Sequence, residues 1–449
     1  MNLIHSVDRK FVAGTMIFLI LAGALAYCAQ NNPTTLVFPP FGHCYGMRKG
    51  SERHLWMFLG DRTRFKNPQG LAAVKLKQND KQGKKDDDEL TVYGVNSGRH
   101  QIIYNKSLLS LAAYGKKGNK KGRFMNPEGI AANADGDVLV ADTGNHRIVH
   151  LINRDNELHH LKYIGEKGEA SGQFQNPSQV ALTDENFLYV TDTGNNRVQI
   201  FDIDGTHLRS YPDPNHNLGL SFDSPEGIAV TTEKARWSRF HSAFFCVTDS
   251  GRARIRKIDM QGKTLATVVP ADLPFDTVDF AYLAIDYYEN IWVTDIANHT
   301  VHKFDRNLDY LASYGEKGSD DFQFDEPRGI SIWRKFGQVF IAEKKSAQYY
   351  WIGIDLLDMT HKIEKDTLTV SYKLTETGRV HAAVMQADRS ILTLAKDQLQ
   401  TSGYQRLTAS IDSLSTGDYT IAIKAKPTYS SRKYFVKEAQ IPIHISTEK

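Results

Sequence analysis

Apolar residues along this chain come in short runs separated by polar turns, with no sustained helical stripe outside the N-terminus. Gly129-Ile-Ala-Ala132, Val180-Ala-Leu182 and Gly227-Ile-Ala-Val230 are each followed, after a polar turn, by a second run. Those second runs read Val138-Leu-Val-Ala141, Leu188-Tyr-Val-Thr191, Phe245-Cys-Val-Thr248 and Ile291-Trp-Val-Thr294. Runs this short, rich in β-branched and aromatic residues and bounded by turn formers, predict strands rather than helices. Behind each second run stands a hairpin turn: Asp142-Thr-Gly-Asn-His-Arg147, Asp192-Thr-Gly-Asn-Asn-Arg197, Asp249-Ser-Gly-Arg-Ala-Arg254 and Asp295-Ile-Ala-Asn-His-Thr300. Gly and Asn supply the positive φ angles such turns require.

The pattern repeats. A phenylalanine before a turn recurs at Phe65, Phe124, Phe174, Phe222, Phe275 and Phe324, at spacings of 59, 50, 48, 53 and 49 residues. A fourth strand in each unit ends in Tyr-Gly or its equivalent, as in Leu111-Ala-Ala-Tyr-Gly115 and Leu311-Ala-Ser-Tyr-Gly315. Four strands per unit and six units predict an all-β propeller, whose sheet edges are short and protected. The Pro-x-Gly-Ile-Ala, Val-x-Asp-Thr-Gly-Asn and Tyr-Gly pieces, with Asn145-His146 and Asn298-His299, resemble the NHL repeat over residues 52–355. That resemblance implies a six-bladed NHL-type β-propeller. The first and sixth units depart from it, carrying Asn96-Ser-Gly-Arg-His100 and Glu343-Lys-Lys-Ser346 at the Asp turn. The sixth unit also runs out after Tyr349-Tyr-Trp-Ile352, so His54-Leu-Trp-Met-Phe-Leu-Gly60 is expected to supply its fourth strand and close the ring.

From residue 356 to 449 the repeat gives way to alternating strands such as Thr367–Tyr372, Val380–Val384, Leu407–Ile411 and Tyr419–Ile423. Six or seven strands of period two predict a β-sandwich. Ser413-Leu-Ser-Thr-Gly-Asp-Tyr419 resembles a turn of Ig-like modules in bacterial secreted proteins, which implies protein binding, spacing or surface attachment.

The one long apolar stretch, Phe11 to Ala26, follows Arg9 and Lys10. Residues 1–30 are therefore read as a signal peptide or a transmembrane anchor, with a hydrophobic helix, and residues 31–51 as a linker. Cleavage after Ala24-Leu25-Ala26, lipidation at Cys28 and retention as an anchor all stay open, and all predict an extracytoplasmic chain, in the cell envelope or secreted.

Composition narrows the chemistry. With 55 basic and 52 acidic residues the net charge is +3, so no global field draws the chain to nucleic acid. Three cysteines, Cys28, Cys44 and Cys246, make neither a disulfide scaffold nor a zinc motif, and pairing of Cys44 with Cys246 stays open. NHL-type amidating lyases, by resemblance, hold a metal with histidines on the inner strands. Here those strands begin at Gln69-Gly, Glu128-Gly, Ser178-Gln, Glu226-Gly, Asp279-Phe and Arg328-Gly, without histidine. Glu128, Glu226 and Asp279 form the candidate metal set, with calcium the cation three carboxylates would take. The recurring Asp142…Arg147 and Asp192…Arg197 pairs are read as ion pairs that fix turns, not as catalytic residues. No nucleophile elbow, P-loop or dinucleotide fingerprint is present.

Two loops are candidate contact surfaces. Lys116, Lys117, Lys120, Lys121 and Arg123 concentrate positive charge in one, suited to an acidic partner. Arg236, Trp237, Arg239 and Phe240 stand in another, the mixture of Arg and aromatic side chains typical of binding hot spots. The expected function is a membrane-associated scaffold binding protein or glycan partners. A metal-dependent hydrolase or lyase in the propeller channel is the alternative, and a polyanion binder at Lys116–Arg123 a third reading.

Overall fold

The computed structural model describes residues 33–39, 48–60, 63–80, 90–107, 110–213 and 219–446. The chain forms two compact units. The first comprises Val37–Ile352 with Tyr429–Tyr434, and the second is built mainly from Gly353–Thr428 and the stretch after Phe435. The N-terminal segment 1–30 and Cys44 lie outside the described residues. Among the described residues no helix is long and apolar enough to cross a membrane.

In the first unit the strands form, among the described residues, six main sheets and one short parallel pair, Glu316–Lys317 with Gln323–Phe324. Five of the six are antiparallel meanders in chain order, and the sixth adds N-terminal strands to a C-terminal meander. Their first strands are Pro68–Val74, Ile130–Ala132, Pro177–Leu182, Ile228–Thr231, Phe280–Ile285 and Ile330–Trp333. Each first strand touches those of the sheets before and after it, and the sixth touches the first, so the circuit closes. Backbone bonds stitch neighbours together: Gly70 donates to the Glu128 carbonyl at 3.0 Å and Gly129 to the Ser178 carbonyl at 2.8 Å. The approach is close enough to dictate residue type. A Cβ on Gly329 would stand 2.2 Å from the Gln69 carbonyl oxygen, which explains the glycine that follows Pro-x in the repeat.

The second strands read as continuous apolar runs because both their faces are buried. Val138 and Val140 pack with Tyr93, Val95 and Ile102 of the preceding sheet. Leu139 and Ala141, on the opposite face, pack with Val180, Leu188 and Val190 of the following one. The recurrent Phe and the Tyr-Gly ending are two halves of one contact. At Gly165, where φ is +73°, a Cβ would lie 2.3 Å from the Phe174 ring.

The expectation for the closing strand is corrected. Glu52–Leu59 is an α-helix, not a strand, and its only buried residue is Leu55. The edge of Ser346–Ile352 is taken instead by two N-terminal strands, Lys49–Ser51, with Gly50 opposite Ala347, and Leu36–Val37. The run Leu55-Trp-Met-Phe-Leu59 is apolar but holds no β-branched residue, and Leu and Met are good helix formers. Its start is also capped, since the Ser51 N–H donates to His54 Nδ1 at 3.1 Å. An N-terminal segment does complete the sixth sheet, a few residues earlier than expected.

The second unit holds seven long strands among the described residues, in a three-stranded sheet (Leu356–Glu364, Thr367–Leu374, Gly403–Ser410) and a four-stranded one (Gly378–Gln386, Arg389–Gln400, Gly417–Pro427, Lys437–Ile445). The inward residues of both make one core, in which Leu368, Val370 and Tyr372 face Val380, Ile421 and Ile423. Alternation along Thr367–Leu374 and Gly417–Pro427 is the period-two signal of a sheet covered on one face.

Candidate functional site

Each sheet of the first unit carries one wholly buried polar residue at the end of its second strand: Asn96, Asp142, Asp192, Asp249, Asp295 and Glu343. Asp192 shows what they do. Its Oδ1 accepts the Gln175 N–H at 2.7 Å, and its Oδ2 accepts Asn195 Nδ2 at 2.8 Å and Arg197 Nε at 2.8 Å. Asp142 repeats this with Met125, Asn145 and Arg147. The acid thus ties the Phe-bearing loop to the hairpin, and the Asp…Arg pairs are structural. In the fifth sheet His302 takes the arginine's part, with Nε2 2.9 Å from Asp295 Oδ2.

The residue that ends each hairpin turn reaches onward to the next sheet. His146 sits in the left-handed region at φ 54° and its Nδ1 accepts the Asn176 N–H at 3.1 Å. His100 receives Asn126, Asn196 receives Ser224 and His299 receives Glu326 in the same way. These histidines are latches between sheets, not metal ligands.

The fourth sheet breaks this series, and there a different cluster forms. Ala253 stands at the latch position, and Arg252, where the second and third turns have Asn145 and Asn195, places its Nε 2.7 Å from Asp279 Oδ1 and 3.5 Å from Glu226 Oε2. Burial and the charge of Glu226 push the Glu128 carboxyl up to about 7, against Arg252 and Arg328. Burial likewise raises Glu226 and Asp279, again opposed by Arg252. The structure therefore brings Glu128 and Glu226 within electrostatic reach, but it sets a guanidinium between Glu226 and Asp279. The three carboxylates do not fit a calcium ion, and among the described residues no group of three His, Cys, Asp or Glu side chains is disposed to hold a metal.

The axis is also filled. Tyr282, buried, reaches from the fifth sheet to Gln69 Oε1 on the first at 2.9 Å. Arg334 donates to the Val230 and Ile285 carbonyls, at 3.1 and 2.9 Å, joining the fourth, fifth and sixth sheets. Sequence reasoning missed Tyr282 and Arg334, whose strand positions carry no motif. Arg252 was missed as well, since the first turn also holds an arginine, Arg99, where the second, third and fifth hold Asn.

The loop after the fourth sheet's first strand is held firmly. Ser238 Oγ and the Ser242 N–H both bond Glu289 Oε1, at 2.6 and 2.8 Å. The Arg236 N–H donates to Asp184, and the Arg239 N–H to the Tyr287 carbonyl at 2.8 Å. On this frame Trp237 is half-buried and carries the Arg236 guanidinium 5.2 Å and the Lys335 ammonium 5.4 Å from its ring centre. Phe240 is 39 % exposed, with Arg306 at 4.1 Å from its ring. Arg236 and Arg239 are exposed. Glu289, which organises the loop from the next sheet, had no sequence signal.

Lys116, Lys117, Lys120 and Lys121 are exposed, and none makes an ion pair among the described residues; Arg123 folds back onto the Lys117 carbonyl at 3.1 Å. The same parallel bridge, Lys117 to Phe124, recurs as Lys167 to Phe174, so this loop is a repeated frame with locally chosen charge. Cys246 is a free, buried thiol, raised to about 12 by burial and so chemically inert.

Closed meanders, buried turn acids and His latches on a fifty-residue period are the features of one repeat family. Residues 124–151 and 174–201 match the NHL repeat. The matches cover the first two strands of the second and third sheets, the Asp142 and Asp192 turns and most or all of the third strand, and stop before the fourth. No curated protein matches the chain. Among solved structures, a gluconolactonase from Xanthomonas campestris is 12% identical, covering 70% of this chain and 97% of that one, with a TM-score of 0.44. Virginiamycin B lyase from Staphylococcus aureus is 16% identical over 58% and 77% of the two chains, with a TM-score of 0.39. The extracellular domain of a one-component system from B. thetaiotaomicron is 10% identical over 93% and 60%, with a TM-score of 0.40. Likenesses this distant carry no argument about activity.

Proposed function

We propose that the chain is an extracytoplasmic, membrane-associated scaffold, with a six-bladed NHL propeller that binds protein or glycan partners and an Ig-like module behind it. The observation that carries the reading is the loop from Thr231 to Ser242. It displays Arg236, Trp237, Arg239 and Phe240 on a backbone fixed by Glu289 and Asp184, so little conformational freedom is lost on binding. The occupied axis supports it, since Tyr282 and Arg334 fill the space where a channel enzyme would hold substrate. A metal-dependent hydrolase or lyase gains nothing from a carboxylate set into which Arg252 is built. The Ig-like reading of the second unit draws on Tyr419, whose hydroxyl donates back to the Ser415 carbonyl at 3.0 Å, as a tyrosine corner does.

The test is binding of the full chain, wild type against Trp237→Ala/Phe240→Ala, to an envelope protein fraction and to an acidic-glycan panel on a sensor surface. The double variant is expected to lose capture while keeping its melting temperature. Unchanged capture would rule out this loop as the contact.

A further inference from the structure

Between the first and sixth sheets, beneath the helix Glu52–Leu59, lies a cavity of about 590 Å³. That volume is in the range of small-molecule sites. Its walls are largely apolar, formed by Leu55, Phe58, Leu71, Val92, Leu111 and Phe340 among others. The cavity touches the axis only at Gln69 and includes no residue of the Thr231–Ser242 loop.

One polar group in this wall has no partner. Gln338 is 2 % exposed and shares its strand face with Phe340 and Ala342, which also line the cavity. Its Nε2 donates to the Tyr349 hydroxyl at 2.8 Å, whereas its Oε1 is buried without a hydrogen bond. A buried acceptor left bare costs free energy, and a ligand donor at this point would recover it. The cations at the rim are already engaged. Lys49 Nζ lies 3.5 Å from Glu343 Oε1 and Arg48 Nη1 3.7 Å from Asp321 Oδ2, so neither is set to receive an anionic headgroup.

We infer that this cavity binds a neutral, mainly hydrocarbon ligand that carries one hydroxyl donor, with the hydroxyl on Gln338 Oε1 and the hydrocarbon against Leu71, Val92 and Phe340. The site sits where the ring closes, so an occupant would bridge the sixth sheet, which Lys49–Ser51 extends, and the first, which the helix Glu52–Leu59 touches.

Equilibrium dialysis of the full chain against radiolabelled dodecanol, dodecane and dodecanoate tests this. Dodecanol is expected to bind about tenfold more tightly than dodecane, because only the alcohol pairs the bare acceptor. Dodecanoate is expected to bind more weakly than dodecanol, since its charge finds no free cation. Gln338→Leu should bring dodecanol and dodecane to equal affinity. Should that variant fail to fold, Val92→Trp, at a half-buried position, fills the cavity and should weaken dodecanol at least about tenfold. The inference is overturned if dodecanol does not bind, if dodecane or dodecanoate binds the wild type as tightly, or if Val92→Trp leaves dodecanol affinity unchanged.

Discussion

A buried carboxylate that collects three donors is the residue-scale unit of this fold. Asp192 holds a loop N–H, the Asn195 amide and a guanidinium, with the Gln199 amide as a fourth donor, and Asp142 holds the first three kinds one repeat earlier. Asp192→Ala would leave those donors facing a void, and removing one partner of a buried pair costs roughly 3–5 kcal/mol. Urea denaturation should show that loss, and a change under about 1 kcal/mol would mean the pair behaves as a surface one. The histidine latches give a pH signature. Burial, with Lys167, holds His146 below its ordinary value, against Asp192, and burial with Lys117 and Lys66 does so for His100. A depressed histidine pKa favours the neutral imidazole in the folded state. Its contribution is full above the unfolded value near ~6.5 and is lost as pH falls below it. Glu128 works in the opposite sense, because a carboxyl raised to about 7 contributes at acid pH and loses that contribution as pH climbs toward 7. His146→Asn keeps the acceptor, as Asn196 does at φ 53° one repeat on, but removes the titration. Its melting temperature should fall less than the wild type's between pH 7 and 5, and parallel curves would dismiss the latch as a pH-sensitive element.

At the scale of elements, ring closure is where sequence and structure part. The repeat was legible because each motif piece answers a local demand: Gly329 at the inner-strand approach, Gly165 under Phe174, and the buried acceptor at each hairpin, Asp in four of the six. The closing strand was not, because Lys49–Ser51 has three residues and no apolar pattern, while the apolar run beside it is a capped helix. Register there is set by the edge that Ser346–Ile352 leaves open, a property of the finished sheet. A chain beginning at Glu52 should therefore lose the closing strand and melt at a lower temperature than one beginning at Arg48. Equal melting temperatures would show that Lys49–Ser51 is dispensable. The second unit was legible from period two alone, since its strands bury one face each and the core residues alternate with exposed ones.

For the whole molecule, the candidate site was only partly legible. Arg236, Trp237, Arg239 and Phe240 could be picked out as residue types, but the group that fixes their loop, Glu289, comes from another sheet and carries no local signal. The same holds for Tyr282 and Arg334, which bond residues of non-adjacent sheets, Gln69 and Val230. Long-range partners of this kind are chosen by the closed circuit of first strands. The carboxylates Glu128, Glu226 and Asp279 lie just ahead of the inner strands, and Arg252, arriving from a hairpin, changes what they can hold. The scaffold proposal rests on the side chains Tyr282 and Arg334 that cross between sheets and on the anchored loop that carries Arg236, Trp237, Arg239 and Phe240. The most direct test is photo-crosslinking in cells, with benzoylphenylalanine in place of Phe240 and, as a control, in place of Tyr404, which is 71 % exposed in the second unit. A discrete covalent partner at position 240 and none at 404 is the predicted result; no adduct at 240, or the same adducts at both, would contradict the scaffold reading.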